Sequence, residues 1–148
     1  MPAALTAPAG VFVTFSRDGV QRGCWGAVAP RAGRLADELA EAAGKALTLD
    51  RRQRPIRRAD LVGLVAHVSV VGDLDPVASA AALRPRRDGL LVAGPDKGGV
   101  LLPGEAATAA WQVATCRRKA GLRPGERARM YRFETAVIGP ISLDIQEP

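Results

Sequence analysis

Two tight hairpin signals constrain this chain more than anything else in it. Val11 to Phe15 is a short β-branched and aromatic run, and Arg17-Asp18-Gly19 follows it directly. Asp-Gly favours the left-handed two-residue turn that sends a strand back antiparallel to its predecessor. Val20 to Trp25 is the predicted returning strand. Farther on, Leu90 to Ala93 and Val100 to Leu102 flank Gly94-Pro95-Asp96-Lys97-Gly98-Gly99, a second hairpin with a Gly-rich turn. A chain punctuated this way builds antiparallel sheet and not a βαβ repeat.

Two helices fit between the strands. Over Arg34 to Leu47, the residues Leu35, Leu39, Ala43 and Leu47 recur at i, i+4, i+8 and i+12, a single apolar stripe with Asp37, Glu38 and Glu41 on or near its outer side. The second helix is predicted over Gly104 to Ala120. Gly121, Leu122 and Pro124 supply its stop signals. Leu64 to Val71 reads as a buried strand, and Met130 to Ile138 alternates as a half-buried one. On that last strand Arg132 and Glu134 share a face and are expected to pair. Residues 73–88 are short helix or loop, 1–9 a lead-in and 139–148 a tail. The predicted class is α+β, with a mainly antiparallel sheet and two main helices. The length of 148 residues suits one domain, and no composition break argues for two.

Charge and cysteine usage narrow the function classes. Lys and Arg number 21 against 15 Asp and Glu, a net charge of +6 that permits phosphate-rich partners. Three basic clusters stand out: Arg51, Arg52, Arg54, Arg57 and Arg58; Arg84, Arg86 and Arg87; and Arg117, Arg118 and Lys119. No aromatic residue lies within them to stack on bases. Cys24 and Cys116 are the only cysteines and His67 the only histidine. This set makes neither a disulfide framework nor a zinc site without carboxylate help. Mononucleotide, dinucleotide and metalloprotease motifs are absent, so no metal or cofactor is expected. Pro2 and Pro8 interrupt the apolar start and no run reaches membrane-spanning length. The expected location is the cytoplasm, with reduced thiols.

The segment richest in chemistry is Arg22-Gly23-Cys24-Trp25-Gly26. On the predicted strand Arg22 and Cys24 share one face and Gln21, Gly23 and Trp25 the other. A guanidinium beside a thiol favours the thiolate, the nucleophilic form. Flanking glycines let a substrate or another backbone approach closely. His67, inside the apolar strand, is a candidate base for Cys24. The bland alternatives are a small buried cysteine and a hydrogen-bonded structural histidine.

Several segments, taken in order, resemble one family. They are Gly10-Val11-Phe12-Val13-Thr14, RGCWG at 22–26, HVSV at 67–70, RDGLLV at 87–92, GVLLP at 99–103, CRRKAGL at 116–122 and YRFET at 131–135. Together they resemble the AMMECR domain family over about residues 10–138. The resemblance implies an α+β fold with a larger and a smaller lobe, and a groove near the Arg-Gly-Cys-x-Gly segment. It implies Cys24 and Arg22 as catalytic candidates, with a ligand-binding groove of Gly23, Trp25, Gly26, Asp50, Arg52, His67, Cys116 and Lys119. It also implies Memo-like and radical S-adenosylmethionine proteins as partners, in an intracellular modification pathway of unestablished biochemistry. Trp25 stands where the family usually has an aliphatic residue, Gln53 where it has an aromatic one and His67 where it has an acidic one. The alternatives are a basic nucleic-acid-binding module and a non-catalytic protein scaffold.

Overall fold

The computed structural model describes residues 8–50 and 54–143. The chain forms two compact units, one made of the residues through Val71 together with those from Ala136 onward, the other of Gly72–Thr135. Among the described residues each has a four-stranded sheet and one α-helix.

In the first unit, β1 (Val11–Arg17) and β2 (Val20–Ala27) form the predicted hairpin. Asp18 and Gly19 both adopt positive φ, 51° and 77°, as a two-residue turn of this hand requires. β3 (Val65–Val71) pairs antiparallel with β1, and β8 (Thr135–Ser142) completes the order β2-β1-β3-β8. Thus residues 139–142 are strand, not tail. Helix α1 (Leu35–Thr48) packs on the face that carries Val11, Val13 and Phe15.

The buried line of α1 is Leu35, Glu38, Ala42 and Ala46, with Leu39, Ala43 and Leu47 half-buried beside it. The stripe is turned from the predicted one because the two alanines let the helix approach the sheet. Gly23 of β2 sits under this contact, where a Cβ would overlap the carbonyl oxygen of Ala46. Glu38, expected outside, is only 6% exposed. Its carboxylate accepts the backbone N–H groups of Arg31 and Ala32, closing the loop before the helix.

In the second unit the order is β4-β7-β5-β6. The strands are β4 (Asp75–Pro76), β5 (Gly89–Ala93), β6 (Gly98–Leu101) and β7 (Arg129–Phe133). A short 3-10 turn at Ala80–Ala82 occupies the stretch left open between helix and loop. Helix α2 (Ala109–Lys119) starts later than predicted, because Thr108 caps it by accepting the Trp111 N–H at 3.2 Å. It stops at Gly121, φ 71°, where the N–H groups of Gly121 and Leu122 return to the carbonyls of Arg118 and Arg117.

The predicted strand Met130–Ile138 is two strands in different sheets, broken at Glu134. The two residues expected to pair on it part company. Glu134 meets Arg87 at 3.2 Å, and Arg132 donates to the carbonyl of Ala82 at 3.2 Å.

Candidate functional site

The sheet of the first unit aligns three polar side chains. Thr14, at the centre of β1, lies opposite Cys24 of β2 on one side and His67 of β3 on the other. Directly opposed residues project from the same face, so thiol, hydroxyl and imidazole form a row on the face away from α1. All three are half-buried. The Thr14 hydroxyl donates to Cys24 Sγ at 3.3 Å. Neighbouring strands are about 4.8 Å apart, which puts Cys24 and His67 backbones about 10 Å apart with Thr14 between them. The imidazole is therefore not directly at the thiol, and a Cys-His pair acting without an intermediary is not what the fold builds. Gly139 of β8 runs close beside this end of the row: a Cβ on it would stand 2.8 Å from the Ala66 carbonyl oxygen and 3.1 Å from His67 Cδ2.

Asp50 fixes the other end. β2 is an edge strand, and its Cys24 N–H points outward to Asp50 Oδ2 at 3.0 Å. Asp50 is itself buried, just after α1. The carboxylate covers an edge donor that pairing with β1 leaves open, and so holds the backbone at the thiol.

Arg22 arrives by an irregularity. Phe15 faces Gly23 but Ser16 faces Gln21, so Arg22 is the extra residue of a β-bulge. Strict alternation fails there: Gln21, predicted opposite to Cys24, joins the row of Ser16. Arg17 donates from Nη2 to the Asp60 carbonyl. The Asp60 carboxyl is held below its ordinary range, first by the Arg57 N–H at 3.0 Å and then by the charges of Arg54, Arg22 and Arg17. Of these three guanidiniums Arg54 touches the carboxylate, at 3.3 Å, and Arg17 bonds the backbone carbonyl. Arg22 Nη2 and Arg17 Nε are buried with no acceptor among the described residues. A buried donor left unmatched costs about 1–3 kcal/mol, so such groups are ordinarily found with an acceptor.

The remaining candidates divide. Gly23 and Gly26 serve close backbone packing, against Ala46 on one side and Val11 and Phe12 on the other, and not the approach of a substrate. Trp25 packs on the α1 side with Lys45 Nζ 6.0 Å from its ring centre, away from the thiol's face. Cys116 and Lys119 belong to the second unit. Cys116 is fully buried, donates to the Leu90 carbonyl at 3.5 Å, and has its thiol pushed up to about 11 by burial. Lys119 donates to the Val100 carbonyl at 2.9 Å. Both tie α2 to its sheet. Arg52 and Gln53 lie outside the described residues. Thr14, Arg17 and Asp60 are the site residues missed by sequence reasoning. Thr14 alone carried a signal, a polar residue at the centre of an apolar strand.

A half-buried thiol on a four-stranded sheet, in one cross-strand row with a hydroxyl and an imidazole, defines an α+β protein with a polar sheet face as its candidate site. The chain belongs to the AMMECR1 family, whose sequence profile it matches over residues 1–138. It is 33% identical to a Thermotoga maritima protein, with 84% of this chain and 74% of that one aligned. It is 36% identical to one from Methanothermobacter thermautotrophicus, over 86% and 73% of the two chains. Its fold is similar to the crystal structure of an uncharacterised Pyrococcus horikoshii protein, with a TM-score of 0.83 at 28% identity, covering 92% of this chain and 75% of that one. No helix among the described residues is long and apolar enough to cross a membrane.

Proposed function

We propose that the Cys24 face of the first unit is a thiol-centred site in an intracellular modification pathway, and that Arg22, at the bulge two residues before the thiol, takes an anionic group of its substrate or partner. The observation that carries this reading is the Thr14 hydroxyl donating to Cys24 Sγ. A hydrogen bond to sulfur stabilises thiolate over thiol. Asp50 holds the backbone so that the sulfur keeps its place on the sheet. The unmatched Arg22 N–H group supplies what a carboxylate or phosphate oxygen accepts. His67, one strand beyond Thr14, is positioned to orient a bound group and not to deprotonate the thiol.

Protection from alkylation tests the pairing of anion and thiol. Inorganic phosphate is expected to slow iodoacetamide labelling of Cys24 several-fold, and Arg22→Gln is expected to abolish the protection while leaving the thermal melt unchanged. Equal labelling with and without phosphate contradicts the anion site. Memo-like and radical S-adenosylmethionine proteins are the proposed partners, and co-purification with the intact protein from its own cells checks them.

A further inference from the structure

The second unit carries an apolar groove that the thiol site does not use. Its cavity of about 520 Å³ has Ala110, Val113 and Leu122 along the floor, and Arg118 and Arg123 on the rim. No carboxylate lines it. Arg117, the third guanidinium there, is pinned to the carbonyls of Arg123 and Glu126 and shapes the wall. Arg118 reaches only Thr115 Oγ1, at a long 3.4 Å, and the Arg123 side chain meets no acceptor among the described residues. Glu126 stands beside this rim, its carboxylate accepting the Arg123 N–H at 2.8 Å, and offsets one of the three guanidinium charges, which leaves the rim cationic.

Helical spacing extends this surface. Trp111, Ala114 and Arg118 stand at i, i+3 and i+7 on α2, so Trp111 forms a shoulder beside the groove. The indole is 49% exposed although it is one of the largest apolar groups in the chain. Exposed tryptophan and arginine around an apolar floor are the residue types that concentrate at protein interfaces.

We infer that this groove docks a short acidic, amphipathic peptide segment of a partner protein. Leucine- or phenylalanine-type side chains enter the floor between Val113 and Leu122, and flanking carboxylates meet Arg118 and Arg123. Charge complementarity selects the occupant, because the rim is cationic and the floor offers a polyanion nothing polar to hold. A nucleic acid would engage Trp111 and the guanidiniums but leave the floor empty.

Selection of a random dodecapeptide display library on the intact protein tests this inference. Enriched sequences are expected to combine Asp or Glu with Leu, Ile or Phe. Their synthetic peptides are expected to bind Arg123→Glu and Ala114→Glu about tenfold more weakly, or worse, with both exposed-site variants melting as the parent does. Arg57→Glu, in the first unit, is expected to bind them as the parent does. Three results overturn the inference: enriched peptides without acidic character, equal binding by the groove variants, or competition by a single-stranded oligouridine that binds more tightly than any selected peptide.

Discussion

The two cysteines show how place decides chemistry. Cys116 is sealed in a core and holds its proton to about pH 11, whereas an unburied thiol ionises near 9.0. Between those values the unfolded chain has released a proton that the folded protein keeps, so stability falls as pH rises. The stabilisation is complete below pH 9 and lost through pH 11. It amounts to about 3 kcal/mol, and Cys116→Ala is expected to flatten that part of a urea-derived stability profile. Cys24 lies instead on a half-buried polar face with a hydroxyl donated to it. The sequence singled out Cys24 by its Arg22 and glycine neighbours but left open which thiol is buried. What separated them was an apolar helix seam for one and an edge strand for the other, which depend on tertiary packing. Glu38 carries the same lesson. It reads as a surface charge, yet its carboxylate closes a loop from within. Glu38→Ala is expected to cost about 2 kcal/mol in urea unfolding, well above the near-zero change of an exposed Glu.

At the scale of elements, the turns were the legible part. Asp18-Gly19 and the glycine-rich segment after Ala93 specify hairpins through local backbone chemistry, which survives without knowledge of the fold. Residue phase was less legible. Ala42 and Ala46 shift the buried line of α1 because small side chains permit closer approach, and hydrophobicity ranks them below the leucines that drew the predicted stripe. The bulge at Arg22 has no marker in the sequence, since it arises where the turn register meets the register set by the core. The split after Phe133 was hidden for a similar reason: alternation continues through Glu134 while the chain changes sheets. Gly23 tests the α1–β2 contact. Gly23→Ala sets a Cβ on a backbone carbonyl that cannot rotate away, and is expected to destabilise by about 3 kcal/mol, measured by urea unfolding.

For the whole molecule, α+β class and antiparallel pairing follow from hairpins separated by helices, and the structure has both. Two sheets in place of one were not legible, because the first draws β8 from the far end of the chain and unbroken alternation through Glu134 hides where the chain changes sheets. Residues 72–135 form a continuous segment with their own sheet, helix and core. Segments of about 60 residues with one core can fold alone. This one is expected to melt cooperatively as an isolated fragment, by circular dichroism. The net charge of +6 is spread over clusters that the fold partly employs, with Arg117 and Lys119 on backbone carbonyls and Arg87 on Glu134. The thiol site, by contrast, gathers residues from β1, β2 and β3 onto one face, with Asp50 holding the edge strand, and it is there that the account stands or falls. The most direct measurement is the pH dependence of Cys24 alkylation in a Cys116→Ser background. The account predicts rapid labelling of the folded protein with a midpoint well below that of an ordinary thiol, moved upward by Thr14→Val. Labelling that requires denaturation, or an ordinary midpoint indifferent to Thr14, would contradict it.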